Sequence, residues 1–230
     1  MMEQLDKIAE KIRAQFDAKT AARDLALTHA RSLTRCCSQA IRAVHRDDDA
    51  GMIAQLDEAK AIANSLRLAV KDYPELYYAG YTQDSLKEFV EANVTCALIR
   101  GEDLPEPAGL EVELNTYLNG LAEVVGELRR RCLDILRNGY SQEAERLLTQ
   151  MDDIYAVLVT IDYPDAITNG LRRQTDIARS IIEKTRGDIT FSIRGEHLEK
   201  ALSQLSMQLT GSTGREGPTL SRAADNQGDD

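Results

Sequence analysis

The feature that most constrains the fold is the absence of proline from residues 1–73, where apolar residues recur every three or four positions. Proline interrupts helices because it has no N–H donor and clashes with the preceding turn, so a stretch without it permits long helices. The helical period starts at Leu5 and continues to Val44, which predicts one long first helix. No segment of the chain alternates like a strand, and we therefore predict an all-α fold.

Further helices follow from the same periodicity and from the turn residues between them. The second helix is predicted to begin at the Asp47–Asp49 run, which can cap it, and to extend through Val70. The later helices are predicted at about 82–100, 113–138, 141–160, 163–187 and 188–209, with a loop at 101–109. Gly187 is taken as the end of the next-to-last helix. We predict a single domain of about seven helices over residues 1–209. The Gly-, Ser- and Asp-rich segment 210–230 is expected to be a disordered tail.

Composition narrows the class of protein. The apolar share of 43% and the charged share of 29% are those of an ordinary soluble protein. No apolar run is long enough to span a bilayer and the polar N-terminus does not read as a signal peptide, so we expect a cytoplasmic protein without a membrane partner. The four cysteines lack zinc-site spacing and are interpreted as small buried residues. A net charge of −10 argues against nucleic-acid binding through overall charge.

An arginine face is predicted along the first helix. Residues 25–46 contain no acidic residue, and a helical wheel places four arginines within about 60° of one another. These candidate nucleic-acid contacts are Arg31, Arg35, Arg42 and Arg46, together with His45 in the same segment. A row of guanidinium groups suits a phosphate backbone because each group can bind two phosphate oxygens. A solvated face, or arginines paired with acidic residues of a neighbouring helix, remains open on the pattern alone.

Two predicted helices each carry two glutamates on one face. Glu88 and Glu91 are three residues apart in LKEFVEA, and Glu123 and Glu127 are four apart in GLAEVVGEL. The helical wheel places the first pair, with Thr95, opposite its helix's own apolar residues, so a solvated face is the simplest interpretation. The second pair is followed by arginines at 130 and 131, and an ion pair with Glu127 is the simple interpretation there.

Gly120 and Gly126 lie within the second of these helices. Glycine in a helix costs up to about 1 kcal/mol relative to alanine, so both indicate close approach by another backbone or a ligand, or tight helix packing. If the two helices converge, four carboxylates would form an all-oxygen site for one or two Mg²⁺ ions. Such a site can activate water and stabilise the charge on a displaced phosphodiester oxygen. The spacing does not show that the helices meet, and no nucleophile–histidine motif, P-loop or GxGxxG is present.

Several stretches resemble the translin family, and within it the translin-associated factor X branch. LKEFVEANV (86–94) is similar to that branch's helix with E-[FY]-V-E-A, and TYLNGLAEVVGELRRRCLDILRNGY (116–140) is similar to the family segment Y-L-x-G-[LV]-x-[DE]-L-x-G-E-L-x-R. DYPDAITNGLRRQTDIARSIIEKTRGDIT (162–190) resembles the archaeal form of the C-terminal region, and ARSLTRCCSQAIRAVHR (30–46) the first long helix. Together the stretches are spread over most of residues 20–205.

The resemblance implies an all-α fold of about seven helices, a closed hollow octamer that holds RNA, and cleavage of single-stranded RNA with Mg²⁺ or Mn²⁺. The family's catalytic and metal-binding positions fall on Glu88, Glu91, Glu123 and Glu127. Glu123 stands where the eukaryotic branch has aspartate, so a metal ion there would need a shifted backbone or a water bridge. A closed shell can be acidic outside and basic inside, which removes the objection from net charge.

Three functions remain open from the sequence. The first is a metal-dependent endoribonuclease in which Glu88, Glu91 and Glu123 bind metal, Glu127 binds metal or positions water, and the arginines track the backbone. The second is a non-catalytic, translin-like protein that binds single-stranded RNA or DNA, which would not need the acidic pair. The third is a helical adaptor without nucleic acid. We expect a homo-oligomer, with a translin-like partner chain as the alternative.

Overall fold

The computed structural model describes residues 1–212, which form nine helices and contain no strand. The helices are α1 (Met2–His45), α2 (Asp49–Ala69), α3 (Pro74–Tyr77), α4 (Gly80–Arg100), α5 (Pro107–Leu110), α6 (Leu114–Leu136), α7 (Gln142–Leu158), α8 (Asp165–Thr168) and α9 (Leu171–Ser212). The prediction of an all-α fold is confirmed. The predicted tail at 210–230 lies, from residue 213 onward, outside the described residues. No helix within residues 1–212 combines the length and apolarity that crossing a membrane requires.

Helices α4 and α6 occupy the middle of the bundle. The α1–α2 hairpin packs against α4, and α7 and α9 pack against α6. The core is mostly aliphatic, and its fully buried leucines come from successive long helices: Leu33, Leu66, Leu86, Leu128 and Leu147. All four cysteines are free and buried in this core, as the sequence predicts. The two helices that carry the glutamate pairs are therefore packed against each other at the centre of the fold.

The aspartate run between α1 and α2 forms the predicted helix cap. Asp47 adopts a left-handed backbone conformation with φ of 57°, which turns the chain. The Oδ1 of Asp48 then accepts a hydrogen bond of 2.9 Å from the N–H of Gly51 and caps α2. This short turn holds α1 and α2 as antiparallel neighbours and fixes where the C-terminal end of α1 lies.

The predicted helix end at Gly187 is wrong, because α9 runs without a break from Leu171 to Ser212. The chain breaks earlier, at Asn169 and Gly170, which both have positive φ and separate α8 from α9. Contacts on both sides of Gly187 hold α9 together: Arg186 pairs with Asp152 of α7 at 2.8 Å, and Ile182 and Ile189 are buried. These tertiary contacts outweigh the cost of about 1 kcal/mol for a helical glycine.

Two helix ends carry rows of exposed apolar side chains. The N-terminal part of α1, residues 2–20, is mostly exposed and displays Leu5, Ile8, Ile12 and Phe16. The C-terminal part of α9 likewise displays Phe191, Leu198, Leu202 and Leu205. We call these segments the apolar ends of α1 and α9. Rows of exposed apolar residues of this kind are typical of surfaces that contact another molecule.

Candidate metal centre and nucleic-acid surface

Helices α4 and α6 approach closely because Gly120 has no side chain. A Cβ added at Gly120 would lie 2.8 Å from the Cβ of Val90 and 2.9 Å from the carbonyl oxygen of Lys87. Both distances are shorter than real Cβ contacts, so glycine is required at this crossing. An added Cβ at Gly126 would have no neighbour within 4 Å. The close approach predicted from the two glycines therefore applies to Gly120 alone.

This crossing brings together three of the four predicted carboxylates. Glu88 and Glu91 of α4 and Glu123 of α6 each offer one oxygen, and these oxygens all lie within 4.8 Å of one another. All three side chains are half-buried. Oxygen ligands of one Mg²⁺, each about 2.1 Å from the ion, are about 3–4 Å apart, so small rotations of the side chains suffice to close the set. We call Glu88, Glu91 and Glu123 the carboxylate triad.

The face of α4 that carries Glu88 and Glu91 is largely covered by other helices, contrary to the simplest interpretation of the helical wheel. Thr95, which the wheel places on the same side as Glu88 and Glu91, is fully buried. Cys37 of α1 lies close to both glutamates: burial first, and then their negative charges, raise the pKa of its thiol. The wheel shows only which residues share a side of α4, and α1 and α6 cover the side that it assigns to solvent.

Crowding of negative charge perturbs the two glutamates of α4. Burial, and then the charges of Glu88, Glu123 and Glu127, raise the pKa of Glu91 to about 8, while Lys87 acts in the opposite direction. Burial and Glu123 also raise the pKa of Glu88. In the absence of a cation, Glu91 therefore carries a proton at neutral pH. A divalent cation would relieve this repulsion, and the purely oxygen donor set fits Mg²⁺ or Mn²⁺.

Glu123 already has two polar neighbours from other helices. Its Oε1 lies 2.7 Å from the Nζ of Lys87 on α4 and 3.3 Å from the Nε2 of Gln174 on α9. Burial would lower the pKa of Lys87, but the hydrogen bond and charge of Glu123, together with the charges of Asp84 and Glu88, outweigh it and raise that pKa, so the ammonium stays charged. Glu123 thus connects α4, α6 and α9 at the triad.

Glu127 lies beside the triad and is engaged elsewhere. Its Oε2 is 2.6 Å from the Nε2 of His45 at the end of α1 and 3.5 Å from the Nη1 of Arg130. The hydrogen bond from His45, followed by the charges of His45 and Arg130, lowers the pKa of Glu127. Glu127 is therefore ionised and paired, and the structure does not place it among the three converging oxygens. Of the two arginines expected to pair with it, Arg130 does so and Arg131 does not.

The four arginines of the arginine face are exposed, as the helical wheel predicts, and none of them forms an ion pair within residues 1–212. Arg42 donates only to the carbonyl of Ser38. Within the described part of the chain, these four arginines are therefore not paired with acidic residues of a neighbouring helix. His45 differs: its side chain is 3% exposed and bound to Glu127. The assignment of His45 to the nucleic-acid surface is corrected, because its ring faces α6.

Arg131 fastens the end of α1 to α6. Its Nη1 donates to the carbonyl of His45 at 3.1 Å and its Nη2 to Asp47 at 2.7 Å. With the His45–Glu127 pair, this contact ties the arginine face to the helix that carries Glu123. Sequence reasoning missed these three contacts and the Lys87–Glu123 pair, because the partners are 86, 84, 82 and 36 residues apart. No local spacing identifies them.

Known proteins with similar sequences or structures place this geometry in context. No family model matches the chain. The chain is 34% identical over 199 residues to an uncharacterized protein of Methanocaldococcus jannaschii, covering 84% of this chain and 86% of that protein. It is similar to the crystal structure of AfC3PO and to the complex of AfC3PO with duplex RNA, each with TM-score 0.76, 32% identity and coverage of 81% of this chain and 97% of theirs. Apo-NeC3PO, at 23% identity and TM-score 0.70 over 84% of this chain and 98% of its own, shares the fold.

Proposed function

The chain belongs to the translin family, among its C3PO-like proteins related to translin-associated factor X, and from this premise we propose that it is a metal-dependent endoribonuclease that binds and cleaves single-stranded RNA. The observation that carries the proposal is the convergence of Glu88, Glu91 and Glu123 where α4 crosses α6. The complex of AfC3PO with duplex RNA supports RNA as the class of ligand.

The carboxylate triad would hold one divalent cation, Mg²⁺ or Mn²⁺. Three carboxylates in one half-buried place repel one another, and an oxygen-only donor set suits hard cations. When bound, such an ion supplies Lewis acidity, which activates water and offsets the charge on the displaced oxygen. The triad's own role is to fix that charge between two rigid helices.

The proposed reaction is hydrolysis of one phosphodiester bond. A water oxygen bonds to phosphorus, the bond from phosphorus to one ribose oxygen breaks, and a proton from the water ends on that leaving oxygen. Glu127 is ionised and held in place by His45 and Arg130, so we assign it to accept a hydrogen bond from the attacking water. His45 would then act as a positioning residue that keeps Glu127 oriented.

The arginine face would bind the phosphate backbone of the RNA. Its four guanidinium groups are exposed and have no acidic partner in the described chain, so no ion pair has to be broken for binding. Phosphate contacts carry no sequence information, and binding through them weakens steeply with salt. Arg131 holds the end of α1 against α6, which supports a fixed position of the bound RNA backbone relative to the carboxylate triad.

We propose a homo-oligomer, with a hollow octamer as the expected form and a translin-like partner chain as the alternative composition. The exposed apolar ends of α1 and α9 support association, because their burial between subunits is favourable. In a closed shell the triad and the arginine face could line the interior. The net charge of −10 would then describe mainly the outside.

The test is cleavage of a labelled single-stranded RNA in Mg²⁺ by the wild-type protein and by the Glu88→Ala, Glu91→Ala double variant. We expect the double variant to bind RNA but to lose at least about a hundredfold in cleavage rate. The matched control is Glu183→Ala with Glu199→Ala, since both residues are exposed on α9 and form no ion pair with a described residue. An unchanged cleavage rate in the Glu88→Ala, Glu91→Ala variant would refute the assignment of these glutamates to the catalytic site.

A second candidate function is a binding protein without nuclease activity, of the translin kind. The free arginine face favours it, because that surface alone suffices for RNA binding. A wild-type protein that shifts single-stranded RNA or DNA at low salt, yet cleaves neither in Mg²⁺ nor in Mn²⁺, would establish this alternative.

A further inference from the structure

Lys87 is the one cationic residue, within residues 1–212, that pairs with a member of the carboxylate triad. It precedes Glu88 on α4, but its ammonium reaches across to Glu123 of α6, where Nζ and Oε1 are 2.7 Å apart. The side chains of Lys87 and Glu123 are 21% and 24% exposed. The pair is thus largely withdrawn from solvent, at the helix crossing where the cation is proposed to bind.

The charges at the triad favour one divalent cation over two. Three ionised carboxylates and one ammonium leave two negative charges, which a single divalent ion neutralises, and the exposed Asp84, one turn earlier on α4, adds one further negative charge beside Lys87 and Glu88. A second divalent ion would leave a net positive site in a half-buried place, which is unfavourable. Glu127 would be the natural further ligand for a second ion, but its Oε2 is already engaged by His45 at 2.6 Å and by Arg130 at 3.5 Å.

The ammonium of Lys87 also has unused hydrogen-bonding capacity. An ammonium group has three N–H donors, and the bond to Glu123 uses one of them. No other acceptor within residues 1–212 takes a hydrogen bond from Lys87. A phosphate oxygen that entered beside the triad could therefore accept from this group without displacing Glu123.

We propose that Lys87 takes the place of a second metal ion: the triad binds one divalent cation, and the Lys87 ammonium donates to a non-bridging oxygen of the scissile phosphate. This inference rests on the proposed nuclease function and specifies how its site is completed. Lys87 is then a catalytic residue that touches substrate. When RNA is absent, its charge opposes binding of the cation.

These two effects separate the proposal from a structural role for Lys87. A lysine that only held Glu123 in place would, when removed, weaken cation binding and cleavage together. A lysine that stands in for a second cation would, when removed, strengthen cation binding and weaken cleavage. The opposite direction of the two changes is the signature to be measured.

The experiment uses the full-length protein and Mn²⁺ as the probe, with calorimetry for binding and single-turnover cleavage of single-stranded RNA at saturating Mn²⁺. We expect one Mn²⁺ per wild-type chain. Lys87→Gln should bind Mn²⁺ at least about threefold more tightly and cleave at least about tenfold more slowly. Lys87→Arg keeps the charge and should bind Mn²⁺ within about twofold of wild type. Lys60→Gln, an exposed lysine on α2, is the matched control.

Two Mn²⁺ ions per wild-type chain would overturn the inference, as would a Lys87→Gln protein that binds Mn²⁺ no more tightly or cleaves at the wild-type rate. Circular dichroism of each variant shows that the fold is intact. A wild-type protein that binds Mn²⁺ but cleaves no RNA would instead overturn the proposed function. In that case the affinity of Lys87→Gln still decides whether Lys87 opposes the cation.

Discussion

Glu91 is the residue at which protons and a metal ion compete. Burial, and then the charges of Glu88, Glu123 and Glu127, raise its pKa to about 8, so it is protonated at neutral pH when no cation is bound. A carboxyl group must lose its proton before that oxygen can coordinate a metal ion. Binding of a cation at neutral pH therefore releases this proton.

Affinity for Mn²⁺ should consequently rise with pH. Between pH 6 and 8 one released proton gives a gain of up to about tenfold per pH unit, and the curve should flatten above pH 8. Calorimetry in buffers of different ionisation enthalpy measures both the affinity and the proton released. Glu91→Gln should bind more weakly and lose most of this slope. An affinity that stays constant from pH 6 to 8 in the wild-type protein would rule out competition between a proton and the cation at Glu91.

At the scale of helices, the site depends on the crossing of α4 and α6 at Gly120. The spacing of the glutamates within each helix could be predicted, because helical periodicity is local. That the two helices meet could not, since it depends on Val90 and the Lys87 carbonyl fitting against a glycine on another helix. The sequence shows that a glycine lies within α6, but it does not show which residues of another helix pack against it. The pairing of Glu127 with His45 could not be predicted either, because the two residues are 82 positions apart in the sequence.

Two glycine-to-alanine substitutions test this crossing. Gly120→Ala should lower the free energy of unfolding by about 1–3 kcal/mol and weaken Mn²⁺ binding, because its Cβ would collide with Val90 and with a backbone carbonyl. Gly126→Ala, in the same helix but with open space around it, should raise the free energy of unfolding by up to about 1 kcal/mol. Chemical denaturation and Mn²⁺ titration give both quantities. Equal effects of the two substitutions would show that Gly120 does not control the crossing.

The arginine face belongs to a single helix, α1, and its exposure could be predicted from the sequence. Replacing Arg35 and Arg42 by glutamine should weaken RNA binding and reduce the slope of log affinity against log salt by about 0.7 for each phosphate that is no longer neutralised. Mn²⁺ affinity should not change. Fluorescence anisotropy at several salt concentrations measures the slope, with Arg137→Gln plus Arg194→Gln as the control at other exposed arginines. An unchanged slope would remove these arginines from the RNA surface.

For the whole molecule, the fold class was predictable and the continuity of α9 was not. Glycine at 187 has the propensity to end a helix, but buried isoleucines and ion pairs on both sides keep α9 intact. The long α9 and the long α1 both end in exposed apolar rows. Such rows could be predicted as amphipathic, but their lack of an intramolecular partner is visible only in three dimensions.

Disrupting the apolar end of α1 should reduce the mass of the assembly. Ile8→Glu with Ile12→Glu places two charges in the exposed apolar row, so burial of that row against another subunit becomes unfavourable. Glu10→Lys, on the opposite side of the same helix, should leave the assembly intact. Light scattering coupled to size-exclusion chromatography reports the mass. An assembly of unchanged mass in the double variant would show that this row is not a subunit contact.

The assignment of Glu88, Glu91 and Glu123 as the metal centre of a nuclease can be checked by anomalous diffraction from crystals soaked with Mn²⁺. We expect one Mn²⁺ peak per chain, about 2.2 Å from an oxygen of each of the three glutamates. Crystals in which Mn²⁺ binds elsewhere on the chain and leaves the triad empty would refute this assignment.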